Sequence, residues 1–137
     1  MILFIDTHKR ELIRFASWKE NDPIRVSECR GLREPLLSRL SEFIPQKSLN
    51  HLTGICVVEG PGAFSAVRSG VLVANLLSRL YHIPLYGVSA RDAEDLEALR
   101  ERIVSHQLPS RSYVAPVYDA EPNITKKITD CELRITD

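Results

Sequence analysis

The chain has 137 residues, 44% of them apolar and 26% charged, with eighteen Lys and Arg balanced by eighteen Asp and Glu. That length builds one domain or one lobe of a larger fold, and a formal net charge of zero excludes the basic footprint of a nucleic-acid or anionic-membrane binder. Cys29, Cys56 and Cys131 are too far apart for a disulfide framework or metal-ligand spacing, and no apolar run reaches the roughly 20 residues of a bilayer span.

"MILFID" is too short, and charged too early, for a signal peptide, so the cytoplasm is the expected compartment and no membrane partner is expected. The same run reads as a first strand buried on both faces. "ELIRFASWK" and "PIRVSECR" alternate apolar and polar residues, which predicts two more strands of an antiparallel meander. After Gly31 the period changes. Leu36, Leu37, Leu40, Phe43 and Ile44 recur at helical spacing behind Pro35 and stop at Pro45. "GICVVEG" is the fourth strand, followed by the turn "GPGAFSAVRSG" and a helix from about Ala63 to Tyr81.

That second helix is apolar over an unusually wide arc. Leu72, Leu76, Leu80, Val73, Ala66, Leu77, Gly70, Ala63, Ala74 and Val67 cover about 220°, roughly twice what one sheet face requires. Arg68, Asn75, Ser78 and Arg79 mark the polar edge, and the excess apolar surface calls for another helix or another protein. "IPLYGVS" is the fifth strand. Ser89 and Asp92 form a capping-box start for a third helix, acidic in its first turns, basic towards its end, and apolar along Leu96, Leu99 and Ile103. "SYVAPVYDAEPNIT" should hold a strand before a Pro-Asn break, and "CELRIT" a short last one.

The order β-β-β-α-β-α-β-α describes an α/β fold: one ribonuclease-H-like lobe with a mixed five-stranded sheet. Doubled, this lobe builds the actin-like ATPases. Residues 1–110 are expected to form the lobe, and 111–137 a short C-terminal extension or the remnant of a second one.

Asp6, ending the first strand, has two readings. It is a turn-starting carboxylate that caps "THKR", or one of a metal-binding pair with Glu59, which ends the fourth strand. The pair would make a metal-dependent nuclease, but two-metal chemistry needs a third acid, and neither Glu34 nor Glu42 suits. The turn around Gly60, Pro61, Gly62 and Ala63, with Arg68 one turn into the helix, also has two readings. It is an anion site at a helix N-terminus, which would suit an isolated nucleotide-binding module, or a device for close packing. It lacks the Lys-Ser/Thr of a P-loop, and the packing reading is preferred. His8, His51, His82 and His106 have no metal spacing, and Ser65, Ser69 and Ser89 have no histidine partner in the pattern.

"ILFIDT", "GPGAFSAVRSG" and "IPLYGVSA" together resemble the TsaB (YeaZ) family, whose patterns are approximately I-D-T, G-P-G-S-F-T-G-L-R-x-G and I-P-x-x-G-V-S. The resemblance covers residues 1 to about 95, in order. Ala63, Ser65 and Ala66 replace the common Ser, Thr and Gly, "THKRE" is shorter and more basic than the usual turn, and most of the second lobe is lacking. The resemblance implies an accessory subunit with no catalytic residues and no metal of its own. Such a subunit assists a TsaD-like catalytic subunit and a TsaE-like ATPase in placing threonylcarbamoyl on adenosine 37 of tRNA. It would meet its partner, or in the partner's absence a second copy, through its first two helices. Leu36, Leu37, Leu40, Ala66, Val73, Leu76 and Leu77 are the residues expected at that interface. No cofactor is expected on the chain alone, ATP or ADP is expected at the junction with the partner, and tRNA is reached only through the complex.

Overall fold

A computed structural model describes residues 1–31 and 35–118 of the chain. Strand β1 (Ile2–Asp6) pairs antiparallel with β2 (Leu12–Trp18), which pairs antiparallel with β3 (Arg25–Arg30). On its other side β1 runs parallel to β4 (Gly54–Gly60), and β4 runs parallel to β5 (Leu85–Ser89). The order is β3-β2-β1-β4-β5, a mixed five-stranded sheet of the expected kind.

Two apolar layers follow from the strand period of two. Leu3, Ile5, Ile13, Phe15, Ile55 and Val57 face one side, with helices α1 (Leu36–Phe43) and α3 (Phe64–Tyr81) against them. Between these helices lies a short turn of helix, α2 (Gln46–Leu49), behind Pro45. Phe4, Ala16, Trp18, Cys56 and Val58 face the other side, covered by a 3-10 turn at Asp92–Glu94 and by α4 (Leu96–Val104). Strand β1 is buried on both faces, whereas β3 is an edge strand largely open to solvent.

Three local expectations change. Pro45 ends α1 but starts α2, because its extended backbone serves as the N-cap of a new turn. Ser89 Oγ does accept the Asp92 amide at 3.1 Å, yet only the 3-10 turn grows from it. Asp95 is extended (φ −120°, ψ 94°) and its Oδ1 accepts the Ala98 amide at 3.1 Å, so α4 begins on a second cap. Residues 111–118 form isolated bridges at Leu85–Arg111 and Gly62–Tyr118 rather than a strand. Pro116 has no amide to donate, and both backbone groups of Val114 are taken by a side chain of α3. The Pro-Asn break and "CELRIT" lie outside the described residues.

Candidate functional site: a filled glycine-rich turn and an apolar helix face

The glycine-rich turn sits at the carboxyl ends of the parallel strands, where open α/β sheets commonly bind ligands. Here the chain itself occupies it. Gly60 has φ +122°, and a Cβ there would overlap the carbonyl oxygen of Val117. Val117 in turn donates its amide to the Glu59 carbonyl at 2.6 Å. The glycine is needed because backbone crosses it. Beside it, Gly62 leaves room for the His8 carbonyl, which accepts the Ala63 amide at 3.4 Å. Pro61 is exposed, and so is Arg68, one turn into α3.

Residues 111–118 act as a strap over this end of the sheet. The Arg111 amide donates to the Leu85 carbonyl at 2.7 Å, and its guanidinium reaches Glu59 Oε1 at 3.0 Å. Asn75 clamps the middle: its Nδ2 donates to the Val114 carbonyl at 2.9 Å and its Oδ1 accepts the Val114 amide at 3.0 Å. Val114 is fully buried. The role of Asn75 was missed in the sequence, where it read only as part of a polar edge. Its signal was an amide set between apolar helical neighbours.

Asp6 is a turn carboxylate, as in the first of its two readings, and also forms an ion pair. Its Oδ1 accepts the His8 amide at 3.1 Å and bonds His8 Nδ1, while its Oδ2 accepts from Arg14 at 3.2 Å. The pairing register puts Arg14 directly opposite Asp6 across β1 and β2, and Arg14 also donates to the Ala93 carbonyl at 2.7 Å. Its guanidinium lies 5.3 Å from the Phe4 ring centre. Asp6 and Glu59 are therefore each tied to an arginine, the reverse of what a metal-binding acid requires. Among the described residues, no group of three or more His, Cys, Asp or Glu is placed to hold a metal ion.

Thr7, the last residue of "ILFIDT", faces the opposite side. Its hydroxyl donates to the Ala66 carbonyl at 2.6 Å, and its side chain fills the notch left by Gly70. The strip of small residues on α3 thus seats β1 closely against the helix. Cys56 is fully buried, and burial pushes its thiol up well beyond the ordinary range, which makes it an unreactive core residue.

The expected interface residues separate into two groups. Leu40, Val73 and Leu77 are buried in the chain's own core, because the helix faces carrying them point at the sheet. Leu36 and Ala66 are half-buried. Leu37 is 58% exposed and Leu76 57% exposed. Two residues outside the expected set join them: Leu72 at 58% and Leu80 at 69% exposure. Leu72, Leu76 and Leu80, four residues apart, make one continuous row along α3. A groove of about 280 Å³ opens between the starts of the two helices, lined by Pro35, Leu36, Ala63, Ser65, Ala66 and Ser69 among others.

A three-stranded meander, two parallel strands and this helix arrangement define a ribonuclease-H-like lobe of the actin-like class, with its glycine-rich turn closed by its own backbone. The chain belongs to the TsaD family, described as tRNA N6-adenosine threonylcarbamoyltransferase, which matches residues 35–120. Among solved structures it is similar to YeaZ from Pseudomonas aeruginosa, with 24% identity and a TM-score of 0.56 over 64% of this chain and 44% of that one. A second similar structure is that of an uncharacterized protein with similarity to peptidase YeaZ from Pseudomonas aeruginosa. It also shows 24% identity and a TM-score of 0.56, covering 77% of this chain and 48% of that one. The expected likeness to TsaB (YeaZ) is thus met in the fold, and the chain spans less than half the length of either structure. No curated protein sequence matches it significantly.

Proposed function

We propose that the chain is a non-catalytic scaffold subunit of the machinery that makes N6-threonylcarbamoyladenosine at position 37 of tRNA. The observation that carries this reading is the row of exposed leucines on α3. Water opposes such a row by about 25 cal/mol per Å² of apolar surface. A TsaD-like catalytic subunit is the proposed occupant, with the groove beside Leu36 and Ala66 receiving one of its apolar anchors. In its absence, a second copy covers the same row. The TsaE-like ATPase and the tRNA are met through the catalytic subunit. The proposed place for ATP or ADP is the subunit junction, since backbone fills the glycine-rich turn here.

The test is co-expression with the TsaD-like protein of the same organism. The expected result is co-purification and restored threonylcarbamoyladenosine in tRNA from cells lacking their own scaffold subunit, both lost with Leu72→Asp plus Leu76→Asp. Failure of the unaltered chain to co-purify, or full activity of the double variant, overturns the proposal.

A further inference from the structure

The outer edge of β3 is a second unpartnered surface, independent of the leucine row. We propose that it pairs antiparallel with β3 of a second copy of this chain, about a two-fold axis at Cys29. Strand β3 ends the sheet on the side away from β5, and among the described residues no strand lies beyond it. Its pairing with β2 runs unbroken from Arg25 to Arg30, and the strand holds no proline. Bulges and prolines are two of the usual devices that keep an edge from pairing.

Hydrogen bonding fixes which backbone groups point outward. The Gly31 amide donates to the Glu11 carbonyl at 3.1 Å, so it is turned towards β2. By the two-residue alternation of an antiparallel ladder, Arg25, Ser27 and Cys29 also direct their backbone groups to β2. Val26, Glu28 and Arg30 direct theirs to the open edge, and an added strand must bond through these three. Setting Glu28 or Arg30 against its own copy opposes like charges. An axis at Val26 carries both charged residues past the start of the facing strand, and an axis at Ser27 sets Glu28 against Val26. An axis at Cys29 instead sets Glu28 opposite Arg30 of the second copy, and Arg30 opposite Glu28 of the second copy. Each of those pairs exchanges two main-chain hydrogen bonds and matches opposite charges. Glu28 and Arg30 are both exposed, and neither has an ion pair among the described residues. Charge of one sign would make the edge repel its copy; the alternation makes it self-complementary. In this register the two Cys29 side chains share one face, with Cα atoms about 4.5 Å apart.

The full chain carrying Leu72→Asp plus Leu76→Asp has lost the leucine row, so its self-association reads the edge alone. At roughly 100 μM it is expected to sediment as a reversible dimer. Bismaleimidoethane is expected to join Cys29 to Cys29 in that dimer, identified by peptide mass spectrometry. Adding Arg30→Glu is expected to weaken the dimer at least about tenfold, because two attractive pairs become repulsive, while Arg30→Lys holds within about threefold. A monomer at that concentration, a dimer without the Cys29 link, or equal association by the Arg30→Glu chain overturns the proposal. With the row already broken, none of these outcomes bears on the proposed scaffold role.

Discussion

Helices α3 and α4 pack on opposite faces of one sheet and treat water differently. Helix α4 buries Leu99 and Ile103 and turns Glu97, Ala98 and Glu101 outward, with Val104 its exposed large apolar residue. Its narrow apolar stripe is fully used by the sheet. Helix α3 buries Val67, Val71, Val73, Ala74 and Leu77, then turns Leu72, Leu76 and Leu80 outward as well. The difference separates a helix that finishes the core from one that finishes the core and still leaves an apolar row exposed. The proposed scaffold role rests on that contrast.

Substitutions on the two helices and the strands between them can break or sharpen that contrast. The largest effect is expected for Val67→Asp, inside α3. An unpaired charge at a fully buried site should cost roughly 4 kcal/mol or more, read as a loss of cooperative urea unfolding. If the variant stayed folded, the inner side of α3 would not be core. Next comes Asp6→Asn, which strands the guanidinium of Arg14 and should cost about 3 kcal/mol in the same measurement. Appearance of Mg²⁺-dependent nuclease activity in the unaltered chain, abolished by this substitution, would bring back the metal-binding reading of Asp6.

Gly70→Ala should be milder. The new methyl meets Thr7 Oγ1, and overpacking of this kind costs about 1–3 kcal/mol, offset by roughly 1 kcal/mol of helix propensity. A net loss of about 1 kcal/mol is expected, and pairing with Thr7→Ala should recover most of it. A variant more stable than the parent would show that Gly70 does not hold β1 against α3. The smallest change in stability is expected on the outer surfaces. Leu76→Asp on α3 and Ala98→Asp on α4 should each shift the unfolding free energy by no more than about 0.5 kcal/mol. Only Leu76→Asp should weaken association, measured by sedimentation with and without the TsaD-like protein. Equal effects of the two would erase the distinction between the helices.

Thiol chemistry offers a further check on the inner layers. Cys56, buried and with its thiol held protonated, should react with a maleimide only on unfolding. Cys29, on the edge strand and partly exposed, should react in the native state. Early labelling of Cys56 would show that the layer under α4 opens readily.

Apolar runs and periodicity carried the order of the strands and main helices, the double burial of β1 and the apolar excess of α3, since these are local properties of the chain. The glycines of "GPGAFSAVRSG" could be read as permissive positions, but not for what approaches them. Val117 is 57 residues beyond Gly60, and its approach depends on how the chain returns across the sheet. The same holds for Asn75 and Val114, and for Asp6 and Arg14, whose meeting requires the register of β1 and β2.

The interface shows the division most clearly. The wheel of α3 established that too much of it is apolar, and it placed Leu72, Val73, Leu76, Leu77 and Leu80 on one broad arc. It could not say which part of the arc meets the sheet, because that depends on the helix's rotation about its axis. That rotation is set by packing: Thr7 seated at Gly70, and Leu40 and Phe43 of α1 alongside. The tertiary structure therefore moved Val73 and Leu77 inward and left Leu72, Leu76 and Leu80 outside. Sequence determined how much apolar surface the helix carries, and long-range packing decided which part of it stays exposed.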